Sequence, residues 1–360
     1  MNILIYTNFN GRSICIESTV LYFKKNENVK LLTTVERGEI HNILEQKEVS
    51  CYAAPKSSHF KQVIFLYRFI KKHKIDVVHA HLQLPSFYAS LLHKFYRFRL
   101  FTVRHNSDVI YIDGSKKEIY IERIINRLSP QIIAISDVVK EQLTKNEKVF
   151  AKKIKRINNG YDFKLLNELS DNEHLSKLKV RYKNQFIVLM PGRFIDAKRH
   201  ELAIELVKQL KNKIPHLHLI FIGNGLKKHS ITNSIIQHGL DKHISILDYT
   251  TYISDFYKIS DLVIQISISE ASNNVIKEAL FYDKPVLACK KVGDFEDYLH
   301  EELLLDKQDP LEQLEEKIVS LSKDQNYYKL QVAQSKTKMI SLFDIQNVGK
   351  AYDKIHQKLK

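Results

Sequence analysis

A chain of 360 residues exceeds one ordinary hydrophobic core, so two domains are expected. Composition that is 44% hydrophobic and 27% charged excludes wholesale disorder, and 10 glycines with 7 prolines exclude collagen-like and glycine-rich chains. The net charge of +15 is uneven: residues 1–180 hold 30 basic against 18 acidic side chains, residues 181–360 hold 26 against 23.

Short unbroken Val/Ile/Leu runs at 2–6, 29–34, 76–80, 100–103 and 131–135 predict buried parallel strands. Helical periodicity separates them, at 60–72 and 119–128 for example. The pattern starts again at 186–190 and continues with strands at 217–222, 244–247, 262–268 and 285–288. Between the first two lies a helix over 199–213, with Leu202, Leu206, Val207 and Leu210 on one stripe. Strand–helix alternation twice over predicts an α/β chain of two doubly wound Rossmann-like domains facing across a cleft. The polar stretch 162–184 marks the boundary, giving domains at 1–170 and 180–339. The tail reads as helix, and its last part, about 340–360, is placed as packing back on the first domain.

Cys15, Cys51 and Cys289 are far apart and form no C-x-x-C pair, which excludes a zinc ribbon and suggests a reducing compartment. The first residues lack a basic n-region and a long apolar core, so they do not read as a signal peptide. No apolar run approaches the about 20 residues that span a bilayer. A cytoplasmic protein is expected.

In open α/β sheets, ligands sit beyond the carboxyl ends of the strands. Three stretches there carry chemistry. After the strand ending near 268 come Glu270, Ser272, Asn273, Asn274, Val275 and Glu278. Ser272 or Asn273 would cap a helix whose first amides can hold a diphosphate, and the two carboxylates can accept from sugar hydroxyls. An ordinary capped helix with a solvated Glu278 is the alternative. After the strand at 186–190 come Gly192, Arg193 and Lys198, two cations suited to phosphate; a solvated basic loop is the alternative. Gly223 and Gly225 form a G-x-G after a strand, but Lys228 stands where a third glycine would complete a dinucleotide fingerprint, so hydride transfer is disfavoured.

The second half resembles the retaining glycosyltransferases of family 4, which have the GT-B fold. Their E-x7-E hallmark is matched by Glu270 and Glu278, and their Gly-Arg…Lys phosphate site by Gly192, Arg193 and Lys198. The resemblance extends to Asp76-Val77-Val78-His79-Ala80-His81, Thr102-Val103-Arg104-His105, Ile133-Ala134-Ile135-Ser136 and Asn158-Asn159-Gly160-Tyr161-Asp162. It implies transfer of a sugar from a nucleotide-sugar donor to a lipid-linked or cell-surface glycan precursor, such as a capsule or lipopolysaccharide intermediate, with retention at the anomeric carbon. Arg193 and Lys198 would stabilise the diphosphate, Glu270 would contact the donor sugar, and Glu278 the ribose. His105 would lie near the sugar and its phosphate. Gly11 would let the first loop approach the diphosphate, and Gly160, Gly192, Gly223 and Gly225 would line the cleft side. No metal or other cofactor is implied. Departures are Ala271 where the family has glycine, a single glycine in the first loop, and Asp283 before Lys284-Pro285-Val286. An epimerase or phosphorylase-like enzyme of the same fold is the alternative, and a non-enzymatic nucleic-acid binder a remote one suggested by charge alone; no nucleic-acid motif is present.

His79 and His81 lie two apart at a strand end, an incomplete metal site without an acidic or thiol partner, and read instead as residues orienting a loop. Residues 56–104 hold ten Lys and Arg against one acid, Asp76, interleaved with aromatics. That composition suits an anionic membrane surface, so a peripheral position on the inner face of the cytoplasmic membrane is expected. The alternative is that the aromatics are core and the lysines a solvated face.

Overall fold

The computed structural model describes residues 1–112 and 114–357. The chain forms two compact units, Met1–Asp162 together with the stretch from Leu342 onward, and Phe163–Ser341.

The sheet of the first unit contains, among the described residues, seven strands. These are β1 (Asn2–Thr7), β2 (Asn28–Thr33), β3 (Ser50–Ala53), β4 (Val77–His81), β5 (Arg99–Arg104), β6 (Ile132–Ala134) and β7 (Ile154–Arg156). Their order is β3-β2-β1-β4-β5-β6-β7 and every pairing is parallel. Central β1 sets Ile3 against Val29 on one side and Val77 on the other. It is covered on both faces, with Ile3, Leu4, Ile5 and Tyr6 fully buried, which is why its run is apolar without alternation.

The second unit repeats the winding with β8 (Phe186–Pro191), β9 (Leu217–Ile222), β10 (Ile244–Leu247), β11 (Leu262–Gln265), β12 (Val286–Cys289) and β13 (Leu304–Leu305). The order is β10-β9-β8-β11-β12-β13, again all parallel. In both units the order reverses beside the first strand, between β1 and β4 and between β8 and β11. Loops leaving those strands diverge there and open a crevice.

Three strands escape the sequence reading. β3, β7 and β13 are short, and Ser-Cys-Tyr-Ala, Ile-Lys-Arg and Leu-Leu carry no apolar run long enough to stand out. The expected strand at 262–268 is a correction: β11 ends at Gln265. Ile268 leaves the ladder and donates its N–H to Ala197 O at 2.9 Å, so apolar Ile266 and Ile268 continue the pattern but not the sheet. The helix expected from 119 begins at Lys116, because Ser115 and Glu118 cap each other reciprocally.

Helices His59–Lys72 and Gln83–His93 lie over the first sheet and bury Leu66, Phe69, Ile70, Tyr88, Ala89 and Leu92. Most aromatics of the basic stretch are therefore core or half-buried. Phe60 and Phe95 are the exceptions, 74% and 89% exposed.

The last helix, Ile345–Gln357, packs in the first unit against the helix Ile14–Lys24. Tyr22 donates to Asp353 Oδ2 at 2.7 Å, and a Cβ on Gly349 would lie 2.1 Å from the Tyr22 ring. Tyr161 exchanges backbone bonds with Phe343 and Ile345, and a Cβ on Gly160 would lie 2.4 Å from Ile345 Cδ1. Gly160 thus serves this docking. Among the described residues no helix is long and apolar enough to cross a membrane.

Candidate functional site

In the second unit the loops after β8 and β11 meet. Beyond Pro191 the chain passes Gly192 and the exposed Arg193, then makes the turn Asp196–Lys198. The Ile268–Ala197 bond lays residues 266–270 alongside that turn. Lys198 Nζ and Glu270 Oε1 are in consequence 2.5 Å apart, with side chains 12% and 13% exposed. Gln265, the last residue of β11, accepts from Lys198 Nζ at 3.4 Å and from Asn273 Nδ2 at 3.3 Å, while its own amide donates to Pro191 O at 2.7 Å. One buried glutamine thereby ties both loops to the switch point.

Asn273 is the cap of the helix Asn274–Phe281, its Oδ1 accepting from Ile276 N at 3.1 Å. Ser272 is not; its hydroxyl donates to Asp294 Oδ2 at 2.6 Å. Asn274 is exposed and Val275 half-buried on the first turn, where helical amides lack partners within the helix. Glu278 lies one turn further, half-buried, with its Oε2 accepting from Tyr257 Oη at 2.7 Å. Burial pushes the Glu278 carboxyl up; the Tyr257 hydrogen bond and the Lys277 charge oppose that. It is not the solvated carboxylate of an ordinary helix.

The glycines of the loop after β9 have another task. A Cβ on Gly223 would lie 2.0 Å from Gly192 O, and one on Gly225 would lie 2.5 Å from Phe194 O. They let this loop lie against the loop after β8, with Phe194 N bonded to Asn224 O at 2.9 Å.

In the first unit, Gly11 and His105 follow β1 and β5. A Cβ on Gly11 would lie 2.9 Å from the Phe9 ring, so the ring covers the glycine. Arg104, at the end of β5, is nearly buried and pairs with both Glu122 and Glu147, and its Nε donates to Asn106 O at 3.0 Å. That anchor fixes the start of the His105 loop. His105 Nε2 lies 2.9 Å from His81 Nδ1. Burial pushes the His105 imidazole down to about 4 and lowers His81 also, so both rings are neutral near pH 7 and one donates to the other. The residue after His81, Leu82, has φ +69°, a strained conformation for a residue with a Cβ, at a turn that lines the same pocket as His105.

His79 does not join this pair. Its Nε2 lies 2.9 Å from His356 Nε2 on the last helix, between Phe23, Phe101 and Tyr352. Among the described residues no group of three or more His, Cys, Asp or Glu could hold a metal ion.

Gln265, Lys277, Asp294 and Tyr257 are the site residues that sequence reasoning missed. Lys277 gives the one visible signal, a lysine inside an otherwise apolar helix face.

Residues 32–165 match the family model described as Glycosyltransferase Family 4, and residues 171–338 the model described as Glycosyl transferases group 1. With the two sheets described above, the two domains of the chain are those of a GT-B glycosyltransferase. Among particular relatives, the capsular polysaccharide biosynthesis glycosyltransferase CapH of Staphylococcus aureus is 27% identical over 245 residues, 64% of this chain and 63% of CapH. The first curated relatives are thus spanned only in part, by 63%, 51% and 48% of their lengths. Structural likeness is complete along the chain. HepE of Anabaena, solved with UDP and glucose, has a TM-score of 0.84 at 18% identity, covering 99% of this chain and 100% of HepE. WaaG, a glycosyltransferase involved in lipopolysaccharide biosynthesis, has a TM-score of 0.75 at 14% identity, covering 98% and 99%.

Proposed function

We propose that the chain transfers a sugar from a nucleotide-sugar donor to a hydroxyl of a lipid-linked or cell-surface glycan precursor, with retention at the anomeric carbon. The observation that carries this reading is the Lys198–Glu270 pair set on Gln265 beside a capped helix start. A cation, a carboxylate and first-turn amides are the groups a sugar diphosphate needs: charge for the phosphates, an acceptor for sugar hydroxyls. Arg193 and Lys198 neutralise the leaving diphosphate. Glu270 holds the donor sugar and Glu278 the ribose. His105 is assigned to the sugar and its phosphate, and the Gly11 loop to the diphosphate. No metal is assigned, since side chains and amides supply the positive charge.

In the reaction the acceptor oxygen forms a bond to the anomeric carbon as the bond from that carbon to the diphosphate oxygen breaks. The hydroxyl proton passes to the leaving phosphate, on the same face of the sugar. Support for a nucleotide-sugar donor comes from the HepE structures, which hold UDP, UDP and glucose, or UDP-glucose, and support for a capsule-type acceptor from the name of CapH.

The test is calorimetry with nucleoside diphosphates and their sugars, UDP-sugars first, followed by transfer to glycan acceptors and NMR of the product linkage. A donor with an axial anomeric bond should give a product of the same configuration; inversion overturns the retaining part. Release of an epimerised sugar with no acceptor present would point to the alternative enzyme class.

A peripheral membrane position belongs to the same reading. The outward side of the helix His59–Lys72 shows Phe60, Lys61, Arg68, Lys71 and Lys72, all exposed, and no acid. Cations of this kind attract anionic headgroups while an aromatic ring enters the interface. Cosedimentation with anionic vesicles at low salt, weakened by added salt, is expected. No cosedimentation at low salt sinks the membrane role.

A further inference from the structure

The helix that carries Glu278 also buries a charge that the proposed chemistry leaves unused. Lys277 and Asp294 are an ion pair with Nζ and Oδ2 2.8 Å apart, and both side chains are 0% exposed. Taking two such ions out of water costs more than their attraction returns unless each finds further partners. Lys277 finds them in the loop ahead of its own helix: its Nζ donates to Ser272 Oγ at 3.0 Å and to Asn273 O at 2.9 Å. Ser272 Oγ donates in turn to the same Asp294 oxygen. The other carboxylate oxygen, Oδ1, is buried without a hydrogen-bond partner among the described residues. Stability alone is a weak reason for such a pair, since apolar residues of similar volume serve a core as well or better.

The contacts point to the loop instead. Gly293, at φ +61°, precedes Asp294, and a Cβ there would lie 2.9 Å from Glu270 Cβ. One turn therefore touches Glu270 with one residue and grips Ser272 with the next. Asn273, whose carbonyl Lys277 holds, caps the helix and reaches Gln265, the acceptor shared with Lys198. We infer that Lys277 and Asp294 are positioning residues that hold the 270–273 loop in its donor-binding shape before the donor arrives. The inference rests on the donor reading above. It also gives Ser272 a part in the clamp through its hydroxyl, distinct from contact with the donor.

The experiment compares wild type, Lys277→Met, the double variant Lys277→Met/Asp294→Leu, and Asp294→Asn, each assayed well below its own Tm. Readouts are Tm, the Kd of UDP or whichever nucleoside diphosphate binds wild type, and the donor KM and kcat. Lys277→Met strands a buried carboxylate and should lower Tm on the order of 10 °C. The double variant removes both charges and should recover most of that loss, yet bind nucleotide about tenfold more weakly with donor KM raised in step, because the loop has lost its anchor. Asp294→Asn keeps an oxygen that can accept from Ser272 and Lys277 and should stay near wild type in Kd. Wild-type Kd and KM in the double variant, at any Tm, overturn the inference and leave the donor reading standing. Loss of binding in Asp294→Asn equal to that in the double variant also overturns it, since the retained oxygen would then count for nothing. A wild-type chain that binds no nucleotide overturns the donor reading and this inference with it.

Discussion

The two units share one winding and spend their charge differently. In the second, the groups at the carboxyl ends of the strands bond to one another: Lys198 to Glu270, Gln265 to both loops, Tyr257 to Glu278. In the first, the carboxyl ends of β4 and β5 hold the His81–His105 pair and an arginine gripped by two carboxylates, while a second histidine pair, His79 with His356, lies mid-strand against the last helix. The excess positive charge of that half lies on outward helix faces such as His59–Lys72. A doubly wound sheet prescribes where loops gather, and the side chains on them decide whether the place binds charge or merely shapes a surface.

The comparison breaks first at its strongest point. Lys198→Ala and Glu270→Ala should each cut kcat/KM by about 10²–10³-fold, the scale of removing one preorganised electrostatic contact from a transition state. Initial-rate transfer assays with a saturating acceptor decide it. Full activity in both variants would leave the second unit without its assigned chemistry.

The buried histidines carry a response to acid. Burial pushes His105 and His356 of the first unit down to about 4, and His200 of the second likewise. Each has an unfolded value near 6.5, so the unfolded chain binds more protons between about pH 6.5 and 4. Their contribution to stability is fully present above 6.5 and is lost as pH falls through that window. Melting curves from pH 7.5 to 5 should show Tm falling, by the equivalent of a few kcal/mol in all. His356 faces His79 across the pair, with Asp353 and Glu27 raising its value and Arg99 lowering it. A His356→Phe variant should flatten the slope; an unchanged slope removes that pair from the account.

Much of this was legible in the sequence. Unbroken apolar runs announced the inner strands, because strands covered on both faces have no side to leave polar. Edge strands β3 and β7 were not legible, since few of their residues meet a core, and β13 was not because its two buried leucines are too short a run to stand out. The end of β11 was misread for a different reason: Ile266 is buried and Ile268 half-buried after the ladder has ended, and hydropathy does not separate burial in a sheet from burial in a loop. Glu270 and Glu278 stood out by their spacing. Lys277 and Asp294 did not, because seventeen positions separate them and only the fold makes them a pair. Gly223 and Gly225 meet the backbone of residues 192–194, an approach that hydropathy does not announce; close approach to a backbone and close approach to a phosphate ask for the same residue.

The smallest effect sharpens the role of Glu278. Its carboxyl is raised by burial and held down by the Tyr257 hydroxyl and the Lys277 charge. Ionised, it accepts from a ribose hydroxyl more strongly than as the neutral acid. Removing the hydroxyl in Tyr257→Phe takes away a hydrogen bond to a charged acceptor, worth about 1.5–3 kcal/mol at most, and lets the carboxyl rise further. The sign follows: the acid limb of donor binding should move to higher pH, with Kd weakened several-fold on the acid side and converging on wild type as pH rises and the carboxylate is restored. Calorimetric titrations of nucleoside diphosphate across pH 5.5–8 separate this from a structural defect, which would weaken binding equally at every pH. An acid limb that stays in place in Tyr257→Phe, with binding unchanged on its acid side, would mean that Glu278 does not bind ribose as a carboxylate set by this tyrosine.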